Sequence, residues 1–128
     1  MSGNPRFLCC NTCKNMMGFV RDNKITPACC GVKMVELVPN TVEASVEKHL
    51  PGAVVSGNSM SVAIGSAPHP MEEAHHIAFV YVQTEHGGQR KRLMPGADPK
   101  VEFSFIDDKP VAVYAYCNLH GLWKTEVK

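Results

Sequence analysis

Hydrophobic and polar positions alternate with a two-residue period in 59–65 (SMSVAIG) and 100–106 (KVEFSFI), in the second half of the chain. This period predicts β-strands with one buried face. Two further segments, 76–83 (HIAFVYVQ) and 111–117 (VAVYAYC), are rich in β-branched and aromatic residues and also predict strands. Gly87 and Gly88 predict a hairpin turn that returns the chain through 89–94, and 107–110 predicts a further turn.

Short strands separated by turns at roughly ten-residue spacing are typical of an antiparallel β-sandwich. We therefore predict a mainly β protein with a sandwich domain over residues 39–128. The passage 35–49 is polar and reads as a linker, and its end, 42–49, has room for one or two helical turns. Residues 1–38 have too few large apolar side chains for a core, so we expect a separate small module that needs a metal or a partner chain.

Composition and charge exclude several classes of function. The chain has 13 basic and 12 acidic residues and no basic stripe, which argues against nucleic-acid or anionic-membrane binding. No apolar run approaches the length of about 20 residues that a membrane span needs. The start, MSGNPRF, lacks the plan of a signal peptide. These features predict a soluble, cytoplasmic protein.

Five of the six cysteines lie within residues 9–30, in close pairs. Cys10 and Cys13 form a C-x-x-C motif, and Cys29 and Cys30 follow after fifteen residues. Four converging thiolates suit iron or zinc, and disulfide pairing or a purely structural zinc stay open as alternatives. Adjacent side chains of an extended chain point to opposite faces, so the backbone must bend at Cys29–Cys30 for both sulfurs to reach one ion. Cys9 is left over, as a small apolar filler or an exposed thiol.

The second half of the chain contains six histidines and one further cysteine, Cys117. His69 stands between two prolines, which restricts its backbone to extended conformations. His49 precedes a Leu-Pro pair, and His75 precedes the predicted strand 76–83. Any one of these is more often structural, but together with Cys117 and His120 they indicate a second metal site. His86, beside the glycine pair, reads as a solvated loop residue.

The blocks C-x-x-C…CC, EKH, HPMEEAHHI and CNLHGLW occur in order from about residue 6 to 125. In this combination the sequence resembles the desulfoferrodoxins, the two-iron superoxide reductases. The resemblance implies a desulforedoxin-like module over residues 1–38. It also implies an immunoglobulin-like β-sandwich over residues 39–128, similar to the domain of the neelaredoxins.

The resemblance also implies two iron ions per chain. The ligands of the first iron would be Cys10, Cys13, Cys29 and Cys30. The equatorial ligands of the second iron would be His49, His69, His75 and His120, with Cys117 as the axial thiolate. His76 stands where the family usually has an aromatic residue, and Lys14 stands where many members have glycine.

By the same resemblance, Lys48 would attract the superoxide anion, and Glu47 would be a mobile carboxylate that closes the sixth coordination position of the resting ferric iron. Without the adjacent His49, this exposed pair would read as ordinary solubilising charge. Asn118 and Leu119 follow the thiolate, where we expect their backbone N–H groups to act as hydrogen-bond donors to Cys117.

The implied activity is the one-electron reduction of superoxide to hydrogen peroxide, with electrons from a rubredoxin-type donor, in a homodimer. The first iron would relay electrons, stabilise the fold of residues 1–38, or do both. The alternative is a non-catalytic rubredoxin-like electron-transfer or structural metal-binding protein, which has no use for four histidines and Cys117 together. A dismutase would also have to oxidise superoxide, which an electron-rich thiolate disfavours.

Overall fold

The computed structural model describes residues 3–42, 46–65 and 69–127, with the side chains of Val46 and Glu47 outside that description. The described residues are mainly β and form antiparallel sheets, as predicted. Most residue contacts fall within one of two compact units, Gly3–Val38 and the residues from Pro39 onward.

The first unit is built from very short strands. They are β1 (Phe7–Cys9), β2 (Met16–Gly18), β3 (Ala28–Cys29), β4 (Val32–Lys33) and β5 (Val35–Glu36). β1 lies between β2 and β5 in a three-stranded sheet, and β3 and β4 form a hairpin. Among the described residues, Leu8, Cys10 and Met34 form a small buried cluster, with Phe19 and Cys29 packed against it. So small a core gives little stability by itself, in agreement with the expected need for a staple.

The predicted linker begins too early in the sequence. Val35 and Glu36 form β5 and pair with β1, with Cys9 opposite Val35. The Glu36 carboxylate also accepts a hydrogen bond from the Arg6 guanidinium at 3.1 Å. These contacts over long sequence separation outweigh the polar local composition that suggested a linker.

Over its described residues, the second unit has one short helix and seven strands. They are α1 (Val46–His49), β6 (Pro51–Ser56), β7 (Ser59–Ile64), β8 (Ile77–Thr84), β9 (Gly87–Arg92), β10 (Lys100–Ser104), β11 (Pro110–Cys117) and β12 (Gly121–Glu126). One sheet has the order β10-β7-β6, and the other has the order β12-β11-β8-β9. The immunoglobulin-like arrangement of these strands stays a prediction.

Both sheets bury their alternate side chains in one core. Met60, Val62 and Ile64 of β7 face inward, and Phe103 of β10 joins them. From the other sheet, Val80 and Val82 of β8 and the inward residues of β11 complete the same cluster. The two-residue period of the sequence thus gives the buried face of β7, whereas β8 and β11 are buried over most of their length.

The hairpin turn predicted at Gly87–Gly88 lies two residues earlier. Thr84 pairs with Gly87 across the hairpin, so Glu85 and His86 form the turn and both glycines belong to β9. Glycine at position 88 leaves room for the Tyr81 side chain, because a Cβ there would overlap the Tyr81 hydroxyl. The turn itself does not require this glycine. β6 and β12 were not predicted.

Among the described residues, no helix has the length and apolar character required to cross a membrane.

Candidate metal centres

The four cysteines of the first unit converge. Their sulfur atoms all lie within 4.8 Å of one another. Cys13 Sγ lies 3.6 Å from Cys29 Sγ, which lies 3.9 Å from Cys30 Sγ. Two sulfurs bound tetrahedrally to one ion at about 2.3 Å would lie roughly 3.8 Å apart. A disulfide would bring a pair to about 2.0 Å, and all the cysteines are free thiols.

A tight turn gives the expected bend between the adjacent cysteines. Cys30 has φ = +53° and Gly31 has φ = +80°, and these two residues connect β3 to β4. Positive φ at both central residues is characteristic of a type I′ hairpin turn. The turn rotates Cys30 so that its sulfur lies on the same side as that of Cys29.

Backbone N–H groups surround the first sulfur of the motif. The N–H of Cys13 donates to Cys10 Sγ at 3.4 Å, and this bond is the largest cause that lowers the pKa of Cys10 to about 6. A thiolate is the form that binds a metal. Cys9 is buried, consistent with an apolar filler rather than an exposed thiol. Lys14 has φ = +67°, a conformation that glycine adopts without steric cost.

A second group forms at one end of the β-sandwich. The ligand atoms of His49, His69, His75 and Cys117 all lie within 4.8 Å of one another. His120 joins them through Nδ1, which lies 3.1 Å from His49 Nε2 and 3.8 Å from Cys117 Sγ. Two nitrogens bound at right angles to one ion at about 2.1 Å would lie roughly 3.0 Å apart. The structure thus brings together all five residues predicted for this site.

The four imidazoles form a closed ring. Neighbouring ring centroids are 4.6 Å (His49–His69), 4.8 Å (His69–His75), 5.0 Å (His75–His120) and 4.8 Å (His120–His49) apart. His49 and His75 lie across the ring from each other at 6.3 Å. Neighbouring planes are steeply inclined, by 74° to 87°. This near-square arrangement is the one that four equatorial ligands of one ion would have.

Local structure directs the cysteine toward the ring. Cys117 ends β11 and continues the inward alternation of Val113 and Ala115. An irregularity follows Tyr116, since Tyr116 pairs with Phe79 and Cys117 with Ile77. Bulges of this kind re-aim side chains at strand ends.

The β11–β12 turn supplies the hydrogen bonds to the thiol. Burial raises the pKa of Cys117, and the backbone N–H groups of Leu119 and His120, which donate to its sulfur, oppose that shift. The backbone N–H of Leu119 was expected, from the sequence, to donate to Cys117, and the structure agrees. Asn118 instead donates its N–H to the carbonyl of His76 at 3.1 Å. The reason is that Asn118 extends the β8–β11 pairing by one residue beyond Cys117.

The donor atoms of the histidines fit a metal ion. His69 Nδ1 donates to the Pro70 carbonyl at 2.7 Å, so Nε2 carries the lone pair. Within the described residues, the buried Nε2 atoms of His69 and His75 have no hydrogen-bond partner. Burial lowers the pKa of His69 to about 4 and also lowers that of His75, which keeps both rings neutral. Buried nitrogens without partners are costly unless a ligand such as a metal ion satisfies them.

Trp123 and the contacts of the Asn118 side chain were missed by the sequence analysis. Trp123 stacks on His49, with ring centroids 5.0 Å apart, and its indole N–H donates to the His120 carbonyl at 3.1 Å. The Asn118 side chain contacts the backbone on both sides of His75. The motif CNLHGLW contains both residues, but only the tertiary structure shows what they contact.

Lys48, His76 and His86 are not among the converging ligands. Lys48 is exposed at the end of α1, while the side chain of Glu47 lies outside the described residues. His76 donates its Nδ1–H to the carbonyls of Glu72 and Glu73, each at 3.1 Å, and does not join the group. His86 is an exposed turn residue, as expected, and lies 3.3 Å from an Asp108 oxygen.

Comparison with known proteins places the chain in a family. The desulfoferrodoxin family model matches residues 41–126. A desulfoferrodoxin homologue of Archaeoglobus fulgidus is 39% identical over 116 residues, covering 91% of this chain and 92% of that protein. The crystal structure of the superoxide reductase from Treponema pallidum superposes with a TM-score of 0.82 at 32% identity, covering 97% of this chain and 100% of that one.

A one-iron superoxide reductase from Giardia intestinalis superposes with a TM-score of 0.56 at 31% identity, covering 64% of this chain and 98% of that one. The likeness to the Archaeoglobus and Treponema proteins spans both units of the chain. This chain belongs to the desulfoferrodoxin family.

Proposed function

We propose that this protein is a superoxide reductase. The reaction adds one electron and two protons to superoxide and yields hydrogen peroxide. The principal supporting observation is the convergence of four imidazoles and the Cys117 thiol at one end of the β-sandwich. A purely structural metal site needs four ligands, whereas this group offers five. The solved relatives from Treponema pallidum and Giardia intestinalis are themselves superoxide reductases.

The donor set suits iron. The ligands we propose for the second site are His49, His69, His75, His120 and Cys117. Imidazole nitrogens suit iron, and an iron ion held by these five donors would supply the transferred electron and an open coordination position for the substrate. The chain contributes neutral rings at His69 and His75, because burial lowers both pKa values.

Cys117 would tune the electron density of that site. Its thiol is buried, and the N–H groups of Leu119 and His120 are the polar groups that stabilise its ionised form. Charge-assisted hydrogen bonds to a thiolate withdraw electron density from sulfur. The β11–β12 turn therefore sets how strongly the thiolate donates.

Charge at the end of α1 would guide the substrate. Lys48 is exposed and directly precedes His49, so its cationic group would attract the superoxide anion. We also propose Glu47 as a carboxylate that closes the open position in the resting enzyme; this assignment rests on the family resemblance. Lys48 and Glu47 are the two proposed catalytic residues.

The first unit would hold the other iron. Cys10, Cys13, Cys29 and Cys30 surround one position with four sulfurs, which leaves no open place for a substrate. We propose residues 1–38 as a desulforedoxin-like module and residues 39–128 as the superoxide reductase domain. A rubredoxin-type electron donor, a homodimeric assembly and a cytoplasmic location complete the proposal.

Product stoichiometry tests the proposed reaction. Purified iron-loaded protein with an excess of external reductant should form one hydrogen peroxide for each superoxide consumed and evolve no oxygen. A dismutase would form one peroxide for every two superoxide ions and release oxygen. Oxygen evolution, or no superoxide consumption by protein with two irons per chain, would reject the proposal.

A further inference from the structure

The side chain of Asn118 connects two of the proposed ligand segments. Its Oδ1 accepts the backbone N–H of His76 at 2.8 Å, and its Nδ2 donates to the carbonyl of Ala74 at 3.0 Å. Its own backbone N–H donates to the His76 carbonyl at 3.1 Å. These hydrogen bonds grip the residues on both sides of His75, more than 40 positions away in the sequence.

The other hydrogen bonds of the segment around His75 are local, and they include those from the His76 Nδ1–H to the carbonyls of Glu72 and Glu73, each at 3.1 Å. Glu72 and His75 form an isolated pair of backbone hydrogen bonds at 2.9 and 3.1 Å, which closes a small loop. Glu72, Glu73 and Ala74 are exposed, so they add little packing. The direction of the His75 ring thus depends on how the backbone at residues 74 and 76 is held.

Asn118 also directly follows Cys117. The regular β8–β11 pairing ends at Cys117 and Ile77, and the Asn118 contacts continue the connection beyond it. A planar amide with one donor and one acceptor fixes both distance and orientation. A shift of this amide would change the separation of the Cys117 sulfur from the His75 nitrogen.

We propose that Asn118 is a positioning residue that fixes His75 relative to Cys117 and thereby sets the affinity and electronic properties of the second metal site. This inference rests on the proposed function, because it takes His75 and Cys117 as ligands of one iron. Groups that orient metal ligands typically change metal affinity by about 10- to 100-fold when removed.

Asn40 provides a matched control in the same unit. Its side chain also makes two hydrogen bonds to backbone, from Nδ2 to the Lys124 carbonyl at 3.1 Å and to Oδ1 from the Lys124 N–H at 2.9 Å. Both asparagines are exposed, and none of the proposed ligands contacts the Asn40 amide through these bonds. Asn40 has φ = +63°, so glycine is the substitution that removes its side chain without backbone strain.

The test compares Asn118→Ala and Asn40→Gly with the wild type, all as full-length protein loaded with iron. Anaerobic transfer of Fe²⁺ to a coloured chelator measures the affinity of the second site, and the thiolate-to-iron absorption of the oxidised protein reports the Cys117 bond. Far-UV circular dichroism checks that each variant is folded, and the bands of the first site check that the chain is loaded with iron. Asn118→Ser, whose hydroxyl is too short to reach both partners, is measured as well in case the alanine variant does not fold.

We expect Asn118→Ala and Asn118→Ser to release the second iron with about 10- to 100-fold lower affinity and a displaced thiolate band. Asn40→Gly should keep both properties at wild-type values. Wild-type affinity and spectrum in the Asn118 variants, or equal losses in Asn40→Gly, would overturn the inference while leaving a superoxide-reducing wild type intact. A wild type that holds no iron at the five residues would overturn the proposed function and this inference together.

Discussion

The indole ring of Trp123 lies stacked on the imidazole of His49, with 5.0 Å between ring centroids and 23° between planes. The indole N–H also donates a hydrogen bond to the carbonyl of His120. Trp123→Phe should keep most of the stacking but leave that carbonyl without its donor, a loss of about 1–3 kcal/mol. Trp123→Ala should cost about 3–5 kcal/mol because it also opens a cavity. Denaturant unfolding measures both. Wild-type stability in Trp123→Phe would show that the N–H contributes nothing beyond the ring, and equal losses in the two variants would show that the ring contributes nothing beyond the N–H.

Removal of Lys48 should slow the reaction of superoxide. An exposed cation near the proposed site raises the local concentration of the anion, and salt screens this effect. Lys48→Ala should lower the second-order rate by several-fold to about tenfold in pulse radiolysis and weaken its salt dependence. Lys100→Ala removes an exposed cation on β10 and serves as the control. An unchanged rate in Lys48→Ala would show that Lys48 is an ordinary surface charge with no role in the reaction.

Lys14 is expected to be suboptimal for stability. A side chain at φ = +67° costs about 1–3 kcal/mol, whereas glycine there costs about 0.5–1 kcal/mol in unfolded-state entropy. Lys14→Gly should therefore leave the first unit as stable as the wild type or stabilise it by up to about 2.5 kcal/mol. Lys33→Gly, in the ordinary strand β4, should destabilise it. Similar destabilisation by both variants in thermal unfolding would contradict the strain argument.

The metal-free protein should lose stability in acid partly through His69. Burial lowers the pKa of His69 from 6.5 to about 4, so the unfolded chain takes up this proton more readily than the folded chain. The resulting stability is fully present above the unfolded pKa and is lost as pH falls toward the folded one. Denaturant unfolding from about pH 7.5 to about pH 4.5 should show a steeper loss for the wild type than for His69→Gln. Equal slopes would show that His69 titrates normally.

The pattern of hydrophobic residues was sufficient to predict several strands of the second unit, including the alternating segment 59–65 and the apolar run 111–117. It did not predict β6, because Pro51 and Gly52 read as turn residues, and β6 forms by pairing with β7. The strands of the first unit have only two or three residues, too few to show a period. They form where the cysteine turns bring the chain back on itself.

The sequence was sufficient to predict the metal-ligating residues of the candidate site, but not the residues that hold those ligands in place. C-x-x-C and the histidine blocks are local patterns, and family resemblance assigned their members to two sites. The contacts of Asn118 with residues 74 and 76, and the stacking of Trp123 on His49, join segments more than 40 positions apart. No local pattern encodes such contacts, because they follow from the packing of strands that the sequence specifies separately.

Metal content and optical spectra of the wild type beside Cys117→Ser test the central claim most directly. The account predicts two irons per chain and a thiolate-to-iron band that disappears in Cys117→Ser, because serine lacks the sulfur donor, while the bands of the four-cysteine site persist. Zinc in both sites, or a spectrum unchanged by the substitution, would contradict it.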